Sequence, residues 1–350
     1  MDTPHFPLLR LPRRAMSNVV KLMGFIDIIA YSLSSKKSRY LVEALKLEAR
    51  VIRVFVSNNI EIEINFPNDN TVMTVSFHWN ESQNWIAGNP LITVGVPANM
   101  SIHYDTVENN ALVRMEERQW HLAEDDQHSL GFFFYHFGWI FKNMGVDRVE
   151  FQLESQRFNI EDIKREIEGS FNFWIFVRNE CENEHHRQIH RVFQPIDYLG
   201  LQKNPYDEFD AQRLIIQNFN ALRFEPGNTF TLSDLLTTNS LHMHISVPDR
   251  ISLKDINRYL KLWQAGTTSS RLIHFTTHFP PENILDSRNV LKGVTYVAMG
   301  DNLERTYKNV GLNVTVRGGY DIRNKKGIFA TITFELEVEG DSNLKMYVWS

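Results

Sequence analysis

"TLSDLLTTNSLHMHISVPDRISLKDINRYLKLWQAGTTSSRLIHFT", residues 231–276, changes its apolar period repeatedly within one short run. "TLSDLL" has the spacing of a short helix. In "LHMHI", residues 241–245, Leu241, Met243 and Ile245 alternate with His242 and His244, the period of a strand with one apolar face and one polar face. Ser252 then stands as an N-cap before the amphipathic "LKDINRYLKLW", and a second strand, "LIHFT", follows at 272–276. With "ALRF" upstream at 221–224, strands recur about 19 and about 31 residues apart. This is a loose spacing for leucine-rich-repeat-like units, which stack strand beside strand and expose an extended binding surface.

The strand period also selects side chains. If Leu241, Met243 and Ile245 face the core, His242 and His244 face the other way together. His274 joins them between Ile273 and Phe275, and Arg223 joins between Leu222 and Phe224. Arg223, His242, His244 and His274 are therefore candidate contacts for a target protein, against the plainer reading of solvated residues on an ordinary sheet face. No cysteine or carboxylate completes a metal-ligand set among them. In "CENEHHRQIH", 181–190, His186 and His190 stand at i, i+4 near Cys181, but the spacing matches no closed four-ligand site and reads as a polar loop and helix.

Outward from this block, helix and strand signals continue to alternate: a helix over 130–142, a strand at 148–153, a helix "IEDIKREI" capped by Asn159, and a strand at 173–177. Before it, a period of two runs through Val54, Val56, Ile60, Ile62, Ile64, Phe66, Met73, Val75 and Phe77, with Asn- and Pro-rich turns, and predicts an antiparallel meander. "PLITVGV", 90–96, is a candidate further strand. After it, "NVTVR", a Gly318-Gly319 turn, "YDIR", the tight turn "NKKG", "IFATITFEL" and "LKMYVW" predict a β cap over the last apolar face.

The chain opens differently. Met16, Val19, Val20 and Met23 form one helical stripe that Pro12 can start; Phe25, Ile28, Ile29 and Leu33 form another, and Leu41, Ala44 and Leu45 a third. Helices this short cannot bury much of their own surface. The set Phe6, Leu8, Leu11, Pro12, Val19, Val20, Ile28, Ile29 and Leu33 thus exceeds what a unit of this size hides, and a partner interface on the order of 1,600 Å² would cover it. The basic run Lys36, Lys37 and Arg39 is either solvated or set against an acidic partner surface.

Composition narrows the classes. Over 350 residues, 43% are hydrophobic and the net charge is −5, which fits a globular protein and disfavours non-specific nucleic-acid binding. A single cysteine, Cys181, excludes an internal disulfide framework and fits a reducing compartment. The most apolar window, 130–141, is too short to cross a membrane. No Gly-x-Ser-x-Gly elbow, Walker loop, His-Glu-x-x-His or dinucleotide fingerprint occurs, so no catalytic site and no cofactor is expected.

Two blocks resemble one known family. "FPLLRLPRRAMSNVVKLMGFIDIIAYSLSSKKSRYLVEAL", with its Leu8-x-x-Leu11-Pro12 opening, resembles the F-box. "FTLSDLLTTNSLHMHISVPDRISLKDINRYLKLWQAG", with Asn257-x-x-Leu260-Lys261-x-Trp263 and the later "YDIRNKKGIFATITF", is similar to the type 2 F-box-associated domain of a nematode-expanded set of F-box proteins. The resemblance implies a non-catalytic adaptor. The F-box docks on the Skp-type subunit of an SCF (cullin-RING) ubiquitin ligase, and the remainder recruits a target protein inside the cell, in the cytoplasm, the nucleus or both. The alternative is a repeat-type binding scaffold unconnected with ubiquitination. The expected architecture is α+β: a three-helix F-box over 1–50, a β-rich segment over 51–127, and a repeat-like, F-box-associated array with a β-strand cap over 128–350, with no nucleic acid or membrane as partner.

Overall fold

A computed structural model describes residues 11–67, 71–79, 92–108, 111–121, 128–142, 145–167, 173–206, 213–225, 230–246, 251–268, 271–279, 286–309, 312–336 and 342–349. The chain divides into two compact units, Met1–Phe173 and Trp174–Ser350.

The first unit begins with α1 (Arg13–Lys21), α2 (Phe25–Ser34) and α3 (Lys36–Glu43). Pro12 occupies the N-cap of α1 with φ −55°, and the Ser35 hydroxyl caps α3 by accepting from the Ser38 N–H at 3.1 Å. Met16, Val20, Ile26, Ile28, Ile29 and Val42 are buried. The helices also lean on the strands of their own unit. Phe25 lies against Phe66 and Tyr104, with ring centroids 4.9 and 5.2 Å away.

Those strands are β1 (Val51–Val56), β2 (Ile60–Asn65), β3 (Thr71–His78), β4 (Asn99–Glu108) and β5 (Ala111–His121), an antiparallel meander, with β6 (Arg148–Phe151) parallel to β1 on its other side. The predicted alternation holds residue by residue in β1 and β2, where every second side chain is buried. β4 and β5 have no counterpart among the predicted strands. β5 carries Arg114, Glu116, Glu117 and Arg118, the charged sequence of a strand at the end of a sheet, which discourages further pairing and erases the apolar alternation. "PLITVGV" gives no strand over its described residues, only a bridge from Ile92 to Phe158, because the chain bends at Gly95 and Val96. α4 (Leu130–Ile140) starts at Ser129 and α5 (Ile160–Glu166) at Asn159, each capped by that side chain.

The second unit runs β7 (Trp174–Val177), α6 (Asn183–Val192), β8 (Tyr198–Leu201), β9 (Ala221–Phe224), α7 (Leu232–Thr237), β10 (His242–Ile245), α8 (Leu253–Gln264), β11 (His274–Phe279), α9 (Ser287–Val290), β12 (Tyr296–Asn309), β13 (Leu312–Arg323), β14 (Phe329–Leu336) and β15 (Ser342–Trp349). β7 to β11 lie parallel in chain order, each beside its predecessor. β15, β14, β13 and β12 then continue antiparallel. The fold is thus α+β as expected: helices first, a β-rich region, then a mixed α/β region ending in a strand.

Close packing explains two glycines. A Cβ on Gly200 would lie 1.9 Å from Phe176 Cε1, so the Phe176 ring occupies the space a side chain would take. Gly318 and Gly319 do not form a turn. They lie inside β13 with φ of 55° and 97°, where a Cβ on Gly319 would come within 2.7 Å of the Ile332 carbonyl. β12 is irregular at the same level, between Met299 and Glu304, so the glycine pair marks a bend in a continuous hairpin. The "NKKG" turn forms as predicted, with the Gly327 N–H donating to the Asn324 carbonyl at 2.9 Å.

Candidate functional site

The N-terminal apolar set splits by exposure. Val20, Ile28 and Ile29 are at most 5% exposed and hold the helices from within. Val19 is 36% exposed, Pro12 is exposed, and Leu11 and Leu33 are half-buried. Phe6 and Leu8 lie outside the described residues. Leu22, absent from the predicted set, is 87% exposed. It lies three residues after Val19 at the end of α1, so the two share a helical edge. The signal was available: Leu22 falls between the buried positions Met16 and Val20 and the half-buried Met23, off their stripe. Lys36 and Lys37 are exposed, whereas the Arg39 guanidinium sits 4.1 Å from the centre of the Trp139 ring. Beside it, Ser32 Oγ lies 2.8 Å from His136 Nε2.

The strand register brings the predicted polar row together. His242 pairs with His274, their rings 6.1 Å apart, and His244 pairs with Arg223 on one side and Thr276 on the other. The intervening Leu222, Phe224, Met243, Ile245 and Phe275 are buried on the opposite face. His278, at i+4 from His274, was missed; its ring stands 4.8 Å from that of His244. Arg223 Nε is 2.6 Å from Glu225 Oε1, His244 Nε2 is 2.9 Å from Ser246 Oγ, and Thr276 Oγ1 is 3.2 Å from His274 Nε2. Desolvation pushes His244 down to about 3, helped by the Arg223 charge, and His274 down to about 4; it lowers His242 as well. The histidines of the row are therefore uncharged donors and acceptors, set beside two cations, Arg223 and Lys345, that are each paired to a glutamate, rather than a cluster of positive charge.

α6 turns its histidines inward. His186 Nε2 lies 3.0 Å from the Arg178 carbonyl, and His190 Nδ1 lies 2.9 Å from the Tyr206 hydroxyl. Both rings are buried, and burial pushes His186 to about 4 and His190 to about 3. Cys181 is buried. Among the described residues no group of three His, Cys, Asp or Glu side chains is arranged to hold a metal ion, and no helix is long and apolar enough to cross a membrane.

Comparison with known families finds two matches. A family model for the F-box domain matches residues 8–50, the segment that contains α1 to α3, and one described as F-box associated matches residues 210–277. The second segment contains β9, α7, β10 and α8 and reaches into β11, and so includes Arg223, His242, His244 and His274. No curated protein and no solved structure matches the chain. The presence of an F-box domain with an F-box-associated domain fits substrate adaptors of SCF ligases in general.

Proposed function

We propose that this chain is the substrate-recognition adaptor of an SCF-type ubiquitin ligase, acting without catalysis of its own. In this reading residues 1–50 dock on a Skp-type adaptor and through it on the cullin. Residues 51–127 form a β-rich connecting segment, and residues 128–350 form a leucine-rich-repeat-like array with a β cap that recruits the target. The chain works inside the cell, in the cytoplasm, the nucleus or both.

The observation that carries the reading is the F-box match over helices that leave Val19 and Leu22 in water. Phe6, Leu8, Leu11, Pro12, Val19 and Leu33 make the contact, with Leu22 added; Val20, Ile28 and Ile29 support it from beneath. Arg223, His242, His244 and His274 contact the target through their neutral polar face.

Co-expression with a Skp-type adaptor tests the docking half. Val19→Asp with Leu22→Asp should abolish co-purification while the chain still unfolds cooperatively, because Leu22 lies in water and Val19 is partly exposed; capture equal to the unaltered chain would defeat the proposal. A scaffold whose helices serve only its own body is the second reading, favoured by the Phe25 contacts with Phe66 and Tyr104. A chain lacking residues 1–50 separates the two. Loss of a cooperative transition favours the scaffold, and retention of it favours docking.

A further inference from the structure

At the C-terminal end of α8 the second unit carries an open groove of about 810 Å³. Its walls come from α8, the segment before β12, and the β13–β14 turn, and each is tied in place. Gly266 ends α8 with φ 73°, while its N–H donates to the Trp263 carbonyl and that of Thr267 to the Leu262 carbonyl, closing the helix. The Gln264 amide holds Thr295 from both sides, Nε2 donating to its carbonyl at 2.7 Å and Oε1 accepting from its N–H at 3.1 Å. The Lys325 N–H donates to the Gln264 carbonyl at 2.9 Å, which fixes the turn against the helix. Asn257 Nδ2 donates to the carbonyls of Val290 and Lys292, which fixes the segment following α9.

The lining combines two chemistries. Tyr296, Val297 and Phe329 are 45%, 66% and 49% exposed, an apolar floor left in water. Lys261, Arg323 and Lys325 line the same groove, and among the described residues none of the three has a carboxylate partner. The one acidic side chain of the lining, Asp321, is already engaged, because Arg305 grips it with two bonds of 2.9 and 2.7 Å. The Arg323 guanidinium lies 4.9 Å from the centre of the Phe329 ring, so cation and aromatic surface are presented together. On a chain of net charge −5, this is a local concentration of uncompensated positive charge around an apolar floor.

We propose that this groove docks an extended acidic segment of a partner protein. Aspartate or glutamate side chains of the segment pair with Lys261, Arg323 and Lys325, and one aromatic or aliphatic side chain seats among Tyr296, Val297 and Phe329. Charge complementarity selects the occupant: a basic segment is repelled, and a neutral apolar one leaves three cations unmatched. The inference deepens the adaptor reading by naming the chemistry of the target, and it rests on that reading only for what becomes of the bound protein.

The test uses the full chain and a fluorescein-labelled peptide of aspartate and glutamate with one central phenylalanine, read by anisotropy. Expected is saturable binding with a Kd at or below about 100 μM, weaker in about 300 mM than in about 50 mM salt. The triple variant Lys261→Glu, Arg323→Glu, Lys325→Glu should weaken binding by roughly tenfold or more at an unchanged melting temperature, and so should the peptide with its acids replaced by Asn and Gln. If the triple reversal does not fold, Arg323→Gln with Lys325→Gln replaces it and should weaken binding by roughly threefold. Binding unaffected by these substitutions, equal binding of the neutral peptide, or no saturation would overturn the proposal. The Val19→Asp, Leu22→Asp chain keeps the two ideas apart. Lost adaptor capture with intact peptide binding is expected from it. A chain that captures the adaptor but ignores the peptide sinks the groove alone, whereas one that binds the peptide but never the adaptor sinks the ligase reading alone.

Discussion

The edge of α1 and the groove at the end of α8 both leave apolar side chains in water, and they differ in shape and in what surrounds them. Val19 and Leu22 project from a convex helix whose inner face is spent on Met16 and Val20. Tyr296, Val297 and Phe329 lie in a concavity framed by cations, with walls held by Gln264 and Asn257. A convex apolar ridge suits a partner that brings its own groove, as in helix packing, whereas a framed concavity suits an extended chain. The same chain thus exposes apolar surface in two recognisably different forms.

A rigid ridge and a rigid groove each need a firmly packed element to carry them. Trp263, on the helix α8 that lines the groove, is 2% exposed, and Ile29, on α2, the helix that follows α1, is fully buried. Trp263→Ala should cost about 3–5 kcal/mol and Ile29→Ala about 2–5 kcal/mol, measured by urea denaturation. A cost below about 1 kcal/mol at either position would show that surface to be loosely supported, and the distinction between a rigid ridge and a rigid groove would break there.

How far the sequence announces these elements depends on which periods remain undisturbed. Met243, Ile245 and Phe275 alternate with polar residues as expected, in strands that the structure shows to be parallel neighbours, and His242, His244 and His274 fall on one face because a period of two cannot do otherwise. β5 was illegible because an end strand has a hydrogen-bonded neighbour on one edge only, and the charge that discourages pairing on the other erases the apolar alternation. β8 was illegible because it is short and has Gly200 at its centre, chosen for the Phe176 ring. The groove itself left only fragments. Lys261 sits in a motif that had been singled out, but its companions Arg323 and Lys325 are brought to it by a hydrogen bond between residues 264 and 325, which no local period reveals. On α1, periodicity grouped Val20 with the core, and the position of Leu22 off that stripe, the sign of its exposure, went unread.

Each unit also buries histidines of its own, whose titration has an effect of intermediate size on stability. Burial pushes His136 in the first unit to about 4, with the Arg39 and His128 charges adding to it, and pushes His190 in the second to about 3. Both folded values are depressed below the ordinary 6.5, so the unfolded chain takes up protons first as the medium is acidified. The stabilisation is complete above about pH 6.5 and declines as pH falls toward the folded values, by up to about 1.4 kcal/mol per pH unit for each ring. Denaturation midpoints should fall between about pH 6.5 and about pH 4.5. His136→Phe and His190→Phe should each flatten that fall even where they lower stability at pH 7. A slope untouched by either substitution would place the acid sensitivity elsewhere.

The smallest stability effects carry the most direct reading of the two surfaces. Leu22→Ser and Val297→Ser remove side chains that are 87% and 66% exposed, so each should change folding stability by no more than about 0.5 kcal/mol. If both were ordinary scattered surface apolars, nothing else would change either. If they are the contact atoms of two interfaces, each loses the apolar area that only a partner covers, a loss on the order of 1–2 kcal/mol in binding with none in folding. The effects should also be crossed: Leu22→Ser weakens capture of a Skp-type adaptor and leaves acidic-peptide affinity alone, and Val297→Ser does the reverse. Parallel loss of both activities from either substitution would mean that one surface acts through the other, and the distinction between a convex ridge and a charged groove would then have no functional content.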